Sequence, residues 1–365
     1  MSEPSDFQVR RDDLRRTRFV PLEQPEDARL ADGEVLVKVD RFAFTANNIT
    51  YAVFGEGMNY WDFFPAPEGW GRVPVWGFGD VARSKADGIA AGERLYGYFP
   101  MSSWVKLTPT RIGARGFADG AGHRAHLHPV YNQYQRVFAD PEHRREDEPA
   151  HMLLRPLFST SYLIDDFLAE ADFFGAGQVI VTSASSKTSL ALAHQLHALR
   201  ANRVHVVGLT SPENRAFCAG LGIYDRVLAY DEVETLDAAL PAVSVDMAGN
   251  GAVLRQIHTH FGPALRYSCL VGGTHWEARS GAGDLPGPAP ELFFAPAQMK
   301  KRSDEWGPAE FNERMDSAWK GFMHAARDWI AVHDERGPDA VERAFLQTLE
   351  GRVSPATGQI LSLND

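Results

Sequence analysis

Cysteine is scarce in this chain: two residues among 365, Cys218 and Cys269. Two thiols cannot build a disulfide scaffold, and so sparse a supply suits a reducing compartment. Long apolar runs are missing as well. None approaches the roughly 20 residues that span a bilayer, and the opening "MSEPSDFQVRRDDLRR" has no apolar core of the kind a signal peptide carries. Positive charge is in deficit: 37 Lys and Arg stand against 48 Asp and Glu, a net charge of −11. That balance argues against nucleic acid or an anionic membrane as a general partner. Internal repeats and low-complexity tracts are absent, and the expectation is a cytoplasmic protein. One further absence is local. In "QVIVTSASSKTSLALAHQL", Gln178 to Leu196, a strand, a turn and a helix follow one another without a single glycine.

What is present is ordinary in bulk. Hydrophobic residues make up 44% and charged residues 23%, a globular balance, and the length suffices for two domains, each with its own core. The first part carries β signals. "GEVLVKVDRFAF" (33–44) alternates apolar and polar residues, and "VPVWGFGDVARS" and "ERLYGYFP" read as further strands between Gly and Pro punctuation. The loop "YWDFFPAPEGWG" (60–71) is unusually aromatic, and with Trp76 it either walls a pocket for a flat or apolar substrate or packs on itself. "DPEHRREDEP" (140–149) is charged and turn-prone, and reads as an exposed connection near a domain boundary.

The second part changes rhythm. "QVIVT" (178–182), "RVHVVGL" (203–209), "RVLAY" (226–230), "VSVDM" (243–247) and "LRYSCLVGG" (265–273) are almost continuously apolar, as strands buried on both faces are. Helical patterns at 188–199, 213–220 and 252–261 alternate with them, which predicts a parallel, doubly wound sheet. Pro308 to Glu335 reads as one long amphipathic helix with a stripe of Phe311, Met315, Trp319, Phe322, Ala326 and Trp329, serving either the core or a partner surface. A shorter helix (339–349) and a last strand, "GQILSL", close the chain.

In this order the elements resemble the medium-chain dehydrogenase/reductase superfamily, in its zinc-free quinone-oxidoreductase-like branch. "GEVLVKVDRFAFTANN" is similar to its opening strand and active-site turn, "GIAAGERLYGYFPMSSWVKL" to its next segment, and "GAGQVIVTSASSKTSLALAHQL" stands in its cofactor turn. The resemblance runs from about Gly33 to the end and is weak at 111–149 and 291–306, so it marks a divergent side branch. It implies an α/β protein with a GroES-like, β-rich catalytic domain (1–152, with a C-terminal return at 333–365) and a Rossmann dinucleotide-binding domain (153–332). It also implies an NADPH-dependent oxidoreductase acting on a small carbonyl or enone without zinc. A non-redox binding or sensor protein on the same fold is the alternative that the glycine-free turn favours, and a lyase or hydrolase reusing the cleft is a third reading. Similar enzymes pair through the edge of the cofactor sheet; "ELFFAP" (291–296) is a candidate edge strand, and a homodimer is expected.

The sites follow. Ser183, Ser186, Lys187 and Ser189 stand where the superfamily often has glycine. A helix N-terminus still offers free N–H groups to a phosphate, with Ser183, Ser185, Ser186 and Thr188 adding hydroxyls and Lys187 a cation. Selectivity for NAD comes from an acid at the tip of the second strand. Here that strand ends in Thr210 and Ser211, and Arg215 follows within reach of a 2′-phosphate, so NADP(H) is the expected cofactor. The resemblance adds Tyr230, Gly272 and Gly273 at the ends of later strands. Where zinc-dependent relatives hold their metal, this chain has Thr45 and "GFGD" (77–80), and "GHRAHLH" matches no firm ligand spacing, so no metal is expected. Oxyanion or proton donors are sought in "TANNITY" (Asn47, Asn48, Tyr51) and "VYNQYQR" (Tyr131, Tyr134).

Overall fold

Alternating side chains and short glycine-punctuated segments give the first part of the chain its antiparallel sheet. The computed structural model describes residues 3–272 and 285–364 and divides into two units, Met1–Leu153 with Val332–Asp365, and Leu154–Ala331. At the centre of the first unit Val35–Phe44 pairs with Pro74–Ser84, and Pro74–Ser84 with Arg94–Pro100, all antiparallel. The last strand, Thr357–Ser362, lies on the other side of Val35–Phe44, with Gln359 opposite Phe44. Gly77 is required here: a Cβ would come within 2.6 Å of the Arg41 carbonyl oxygen. A smaller sheet, Thr17–Pro21, Ser5–Arg10 and Trp70–Gly71, adds Phe7, whose ring meets Phe345 at 5.2 Å. Phe345 belongs to helix Pro338–Leu349 and also meets Phe44, so the C-terminal return seals this GroES-like core.

The second unit is a six-stranded parallel sheet in the order Arg226–Ala229, His205–Thr210, Gln178–Val181, Ala242–Asp246, Leu265–Leu270, Glu291–Leu292. Strands counted in chain order thus run 3-2-1-4-5-6, the Rossmann arrangement. Both faces are apolar: Val179, Val181 and Val206 belong to one core cluster, Ile180, Val207 and Leu209 to the other. That two-sided burial is why these strands lack alternation in the sequence.

Two expectations from the sequence are corrected. The helix beginning at Pro308 ends at Ala326, whose carbonyl accepts the Trp329 N–H in a tight turn. Beyond it Ala331–Arg336 is an exposed strand beside Thr357–Ser362. Ile330 and Val332 favour extended backbone, and pairing to the sheet outweighs the helical pattern. Within the helix, Phe311, Met315 and Phe322 are buried, and Phe322 stacks on Phe158 at 5.2 Å, so the stripe is core. The charged segment 140–149 is not wholly exposed either. Glu148, at the start of helix Glu148–Glu170, is fully buried and accepts from Arg94 (2.7 Å) and Arg41 (3.1 Å).

Candidate functional site

The turn after the first parallel strand keeps the conformation that glycine usually provides. Ser183 has φ +49, in the left-handed region, a state that costs an L-residue roughly 1–2 kcal/mol. Surrounding bonds hold it. The Ala184 N–H donates to the Leu209 carbonyl, and the Ser186 N–H to the Ser183 carbonyl. The Ser186 hydroxyl caps helix Lys187–Arg200 by accepting the Ser189 N–H, and the Ser189 hydroxyl donates back to the Thr182 carbonyl. Gly208 on the second strand makes room, since a Cβ there would meet the Ala184 Cβ at 2.9 Å. The glycine that matters in this turn has therefore moved to the neighbouring strand. The Ser161 hydroxyl, from helix Glu148–Glu170, donates to the Thr188 carbonyl and fixes the first turn from behind.

The cofactor candidates fall into three groups. Ser183, Ser186, Lys187 and Thr188 lie together at the helix start. The Ser185 hydroxyl is engaged by Thr210 (3.3 Å) and Asn214 (3.2 Å), so it braces the second strand's exit rather than standing open. Tyr230 hydrogen-bonds to Ser183; burial first, then the neighbouring Asp246, pushes its phenol up to about 12 against those bonds. Gly272 packs tightly on the Met247 carbonyl at the fifth strand's exit, where a Cβ would come within 2.3 Å. Gly273 lies outside the described residues. Lys187 is half-buried, and desolvation lowers its ammonium to about 8.

At the exit of the second parallel strand the sequence reading needs a correction. Ser211 precedes the short turn Pro212–Asn214, and Arg215 opens helix Arg215–Gly220. Arg215 is paired with Glu232 at 2.9 Å. An acid does stand at this corner, supplied by the segment after the third strand rather than by the second strand itself. The "YDE" following "RVLA" is the trace it leaves in the sequence. Thr182 and Asp246 were also missed: the Thr182 hydroxyl donates to Asp246 at 2.6 Å and accepts the Met247 and Ala248 N–H groups, locking the first and fourth strand ends together. Their signal is a polar residue closing each apolar run.

In the first unit, helix Ala46–Val53 begins in a capping box. The Thr45 hydroxyl accepts the Asn47 N–H, and the Asn48 side chain accepts the Thr45 N–H. The Asn48 amide nitrogen donates to the Pro74 carbonyl at 2.9 Å. Both ends of Asn48 are thus held by backbone and the side chain is buried, so it braces the helix start rather than standing as an open amide. Tyr134 is removed as a donor because its single O–H is spent on the Tyr98 carbonyl, while its oxygen accepts from buried Arg124. Tyr51, Asn47 and Tyr131 do come together. The Tyr51 and Tyr131 rings stand 6.3 Å apart, and the Trp76 indole N–H donates to the Tyr51 hydroxyl. Burial, then Tyr131, pushes the Tyr51 phenol up, with hydrogen bonds from Trp76 and Asn47 opposing the shift. Asn47, Trp76 and Tyr131 form the accessible rim of this cluster. Beneath it Tyr60, Phe63 and Tyr98 pack ring on ring, Phe63 5.3 Å from Tyr98, so the aromatic loop is a compact packed element.

His123, His126 and His128 do not converge: their ring nitrogens meet the Phe63 carbonyl, Asp62 and the Val130 N–H respectively. Among the described residues no three His, Cys, Asp or Glu side chains are grouped to hold a metal ion, and no helix is long and apolar enough to cross a membrane.

A GroES-like unit followed by a Rossmann unit in this element order is the fold of the medium-chain dehydrogenase/reductase superfamily. Three solved structures share it: CurA from Vibrio vulnificus in complex with NADPH (12% identity, 99% of each chain, TM-score 0.63), mycobacterial Rv1454c complexed with NADPH (15%, 98% of this chain and 99% of that one, 0.56), and a mutant enoyl thioester reductase from Candida tropicalis (12%, 99% and 100%, 0.54). No curated protein matches the sequence. The chain belongs to the family described as protein of unknown function DUF2855, whose model matches residues 42–354.

Proposed function

We propose that this chain is an NADPH-dependent oxidoreductase that reduces a small carbonyl or enone without zinc. The observation that carries the reading is Ser183 at φ +49, followed by the Ser186-capped helix. The path that brings backbone to a pyrophosphate survives although its glycines are gone. The first N–H groups of helix Lys187–Arg200, with the Lys187 ammonium, would hold the diphosphate, and Arg215 would face the adenosine ribose. The bound nicotinamide supplies a hydride. Tyr51, aligned by Trp76 and Asn47, donates a hydrogen bond to the oxygen on which charge develops, and its raised phenol remains protonated at neutral pH. Solved structures of similar fold, at 12–15% identity, hold NADPH or NADP, which supports the choice of cofactor. A homodimer is proposed on the edge strand Glu291–Leu292, beside which Leu292 and Phe294 are exposed.

The test is an equilibrium titration with NADPH, followed by absorbance at the reduced-nicotinamide band with a panel of enones and aldehydes. Saturable binding and substrate-dependent oxidation are expected. Tyr51→Phe should bind NADPH as wild type does and lose on the order of 10²-fold in turnover. A chain that binds no dinucleotide overturns the reading in favour of a binding or sensor protein on this fold.

A further inference from the structure

We infer that Glu232 sets how strongly this chain prefers NADPH over NADH, by holding the Arg215 guanidinium that a 2′-phosphate would otherwise engage. The inference rests on the dinucleotide-binding reading above.

The second and third parallel strands end side by side, with Thr210 opposite Ala229 as the last paired residues. The residues leaving them, Ser211 to Arg215 and Tyr230 to Glu232, therefore share one corner of the sheet. In this topology the adenosine ribose lies beyond the second strand's carboxyl end. Arg215 and Glu232 meet there at 2.9 Å. The Glu232 carboxylate does not hang free, because it also accepts the Ala229 N–H at 2.8 Å and so caps its own turn, Tyr230–Thr235. Other charges share the corner: the Glu213 carboxylate bonds to its own backbone N–H and to Ser211, Arg226 donates to Thr235 while its charge also acts on Glu232, and Asp231 is exposed beside it.

The chemistry follows from that fixed acid. A 2′-phosphate gains a charge-assisted contact from Arg215, yet it must displace or share the guanidinium's existing partner and lie close to a carboxylate of its own sign. NADH has only hydroxyls at that place, which a carboxylate accepts. Arg215 thus raises the preference for NADPH and Glu232 lowers it. Both side chains are partly exposed, so the pair is modest in strength and screened by salt.

Glu232→Gln is the informative variant, because the amide oxygen can still accept the Ala229 N–H while the charge is gone. Dissociation constants for NADPH and NADH are measured by calorimetry on wild type, Glu232→Gln and Arg215→Ala, with thermal unfolding as a check on folding. The expected result is NADPH binding tightened roughly three- to tenfold in Glu232→Gln, with NADH unchanged or weaker, and NADPH weakened in Arg215→Ala. Bound cofactors with an NADPH-to-NADH ratio that Glu232→Gln leaves within twofold would refute the inference and leave the dinucleotide reading standing. Wild type that binds neither cofactor removes both.

Discussion

Lys187 is costly to keep charged in the folded chain. Burial holds its ammonium at about 8 instead of its ordinary 10.5, so the folded chain releases a proton that the unfolded chain keeps between those values. The sign is fixed by linkage: its penalty on the fold is full below pH 8 and fades as pH rises through 8 toward 10.5. On the proposed function, NADPH affinity would run the other way, since the cation is present below pH 8 and lost above it. Lys187→Met should raise the thermal midpoint of the ligand-free protein at pH 7 and abolish the weakening of NADPH binding between pH 7 and 9. Unchanged pH dependence in that variant would show that the cation lies away from the phosphates. At this scale the sequence is legible where a residue acts on its own neighbours, as with Ser186, which caps the helix that follows it. It misled where a side chain's partner is distant: Asn48 looks like a free amide until Pro74 is placed beside it, and Arg215 looks like a free cation until Glu232 is.

Elements were more legible than contacts, because strand burial and helix periodicity are written locally. Five of the parallel strands are nearly continuous apolar runs that can be read one by one, whereas the edge strand Glu291–Leu292 is short and exposed and leaves only a weak trace. The helix from Pro308 was read correctly at its start and along its stripe, and wrongly at its end. No local signal says that Ala331–Arg336 pairs with a strand 20 residues further on. The stripe itself is central to the second unit: Phe322 is buried against Phe158, Trp319, Trp329 and His194. Phe322→Ala should cost about 3–5 kcal/mol, read as a lower denaturant midpoint with an unchanged slope. A loss below about 1 kcal/mol would mean that the helix is a detachable cover.

The whole molecule is assembled out of sequence order, for the first unit closes only with residues from the far end of the chain. Thr357–Ser362 is an interior strand of the large sheet, and the Asn364 amide nitrogen bonds to the Val39 and Ser103 carbonyls. Removing residues 355–365 should strip Phe42–Phe44 of its partner strand, while Val35–Lys38 keeps its pairing with Trp104–Leu107, and should expose the apolar residues that the last strand covers. Hydrogen exchange should then show protection lost at 42–44 and 74–84 and kept at 178–181 and 242–246. Equal loss in both sets would show that the two units unfold as one. A ribosome making this protein meets the same asymmetry in time. The parallel sheet of the described residues is complete once residue 292 has emerged, while the antiparallel sheet begun some 250 residues earlier still waits for its last strand. The second unit is thus able to fold before the first, whose apolar strands stay without their closing partner for as long as the intervening chain takes to be made.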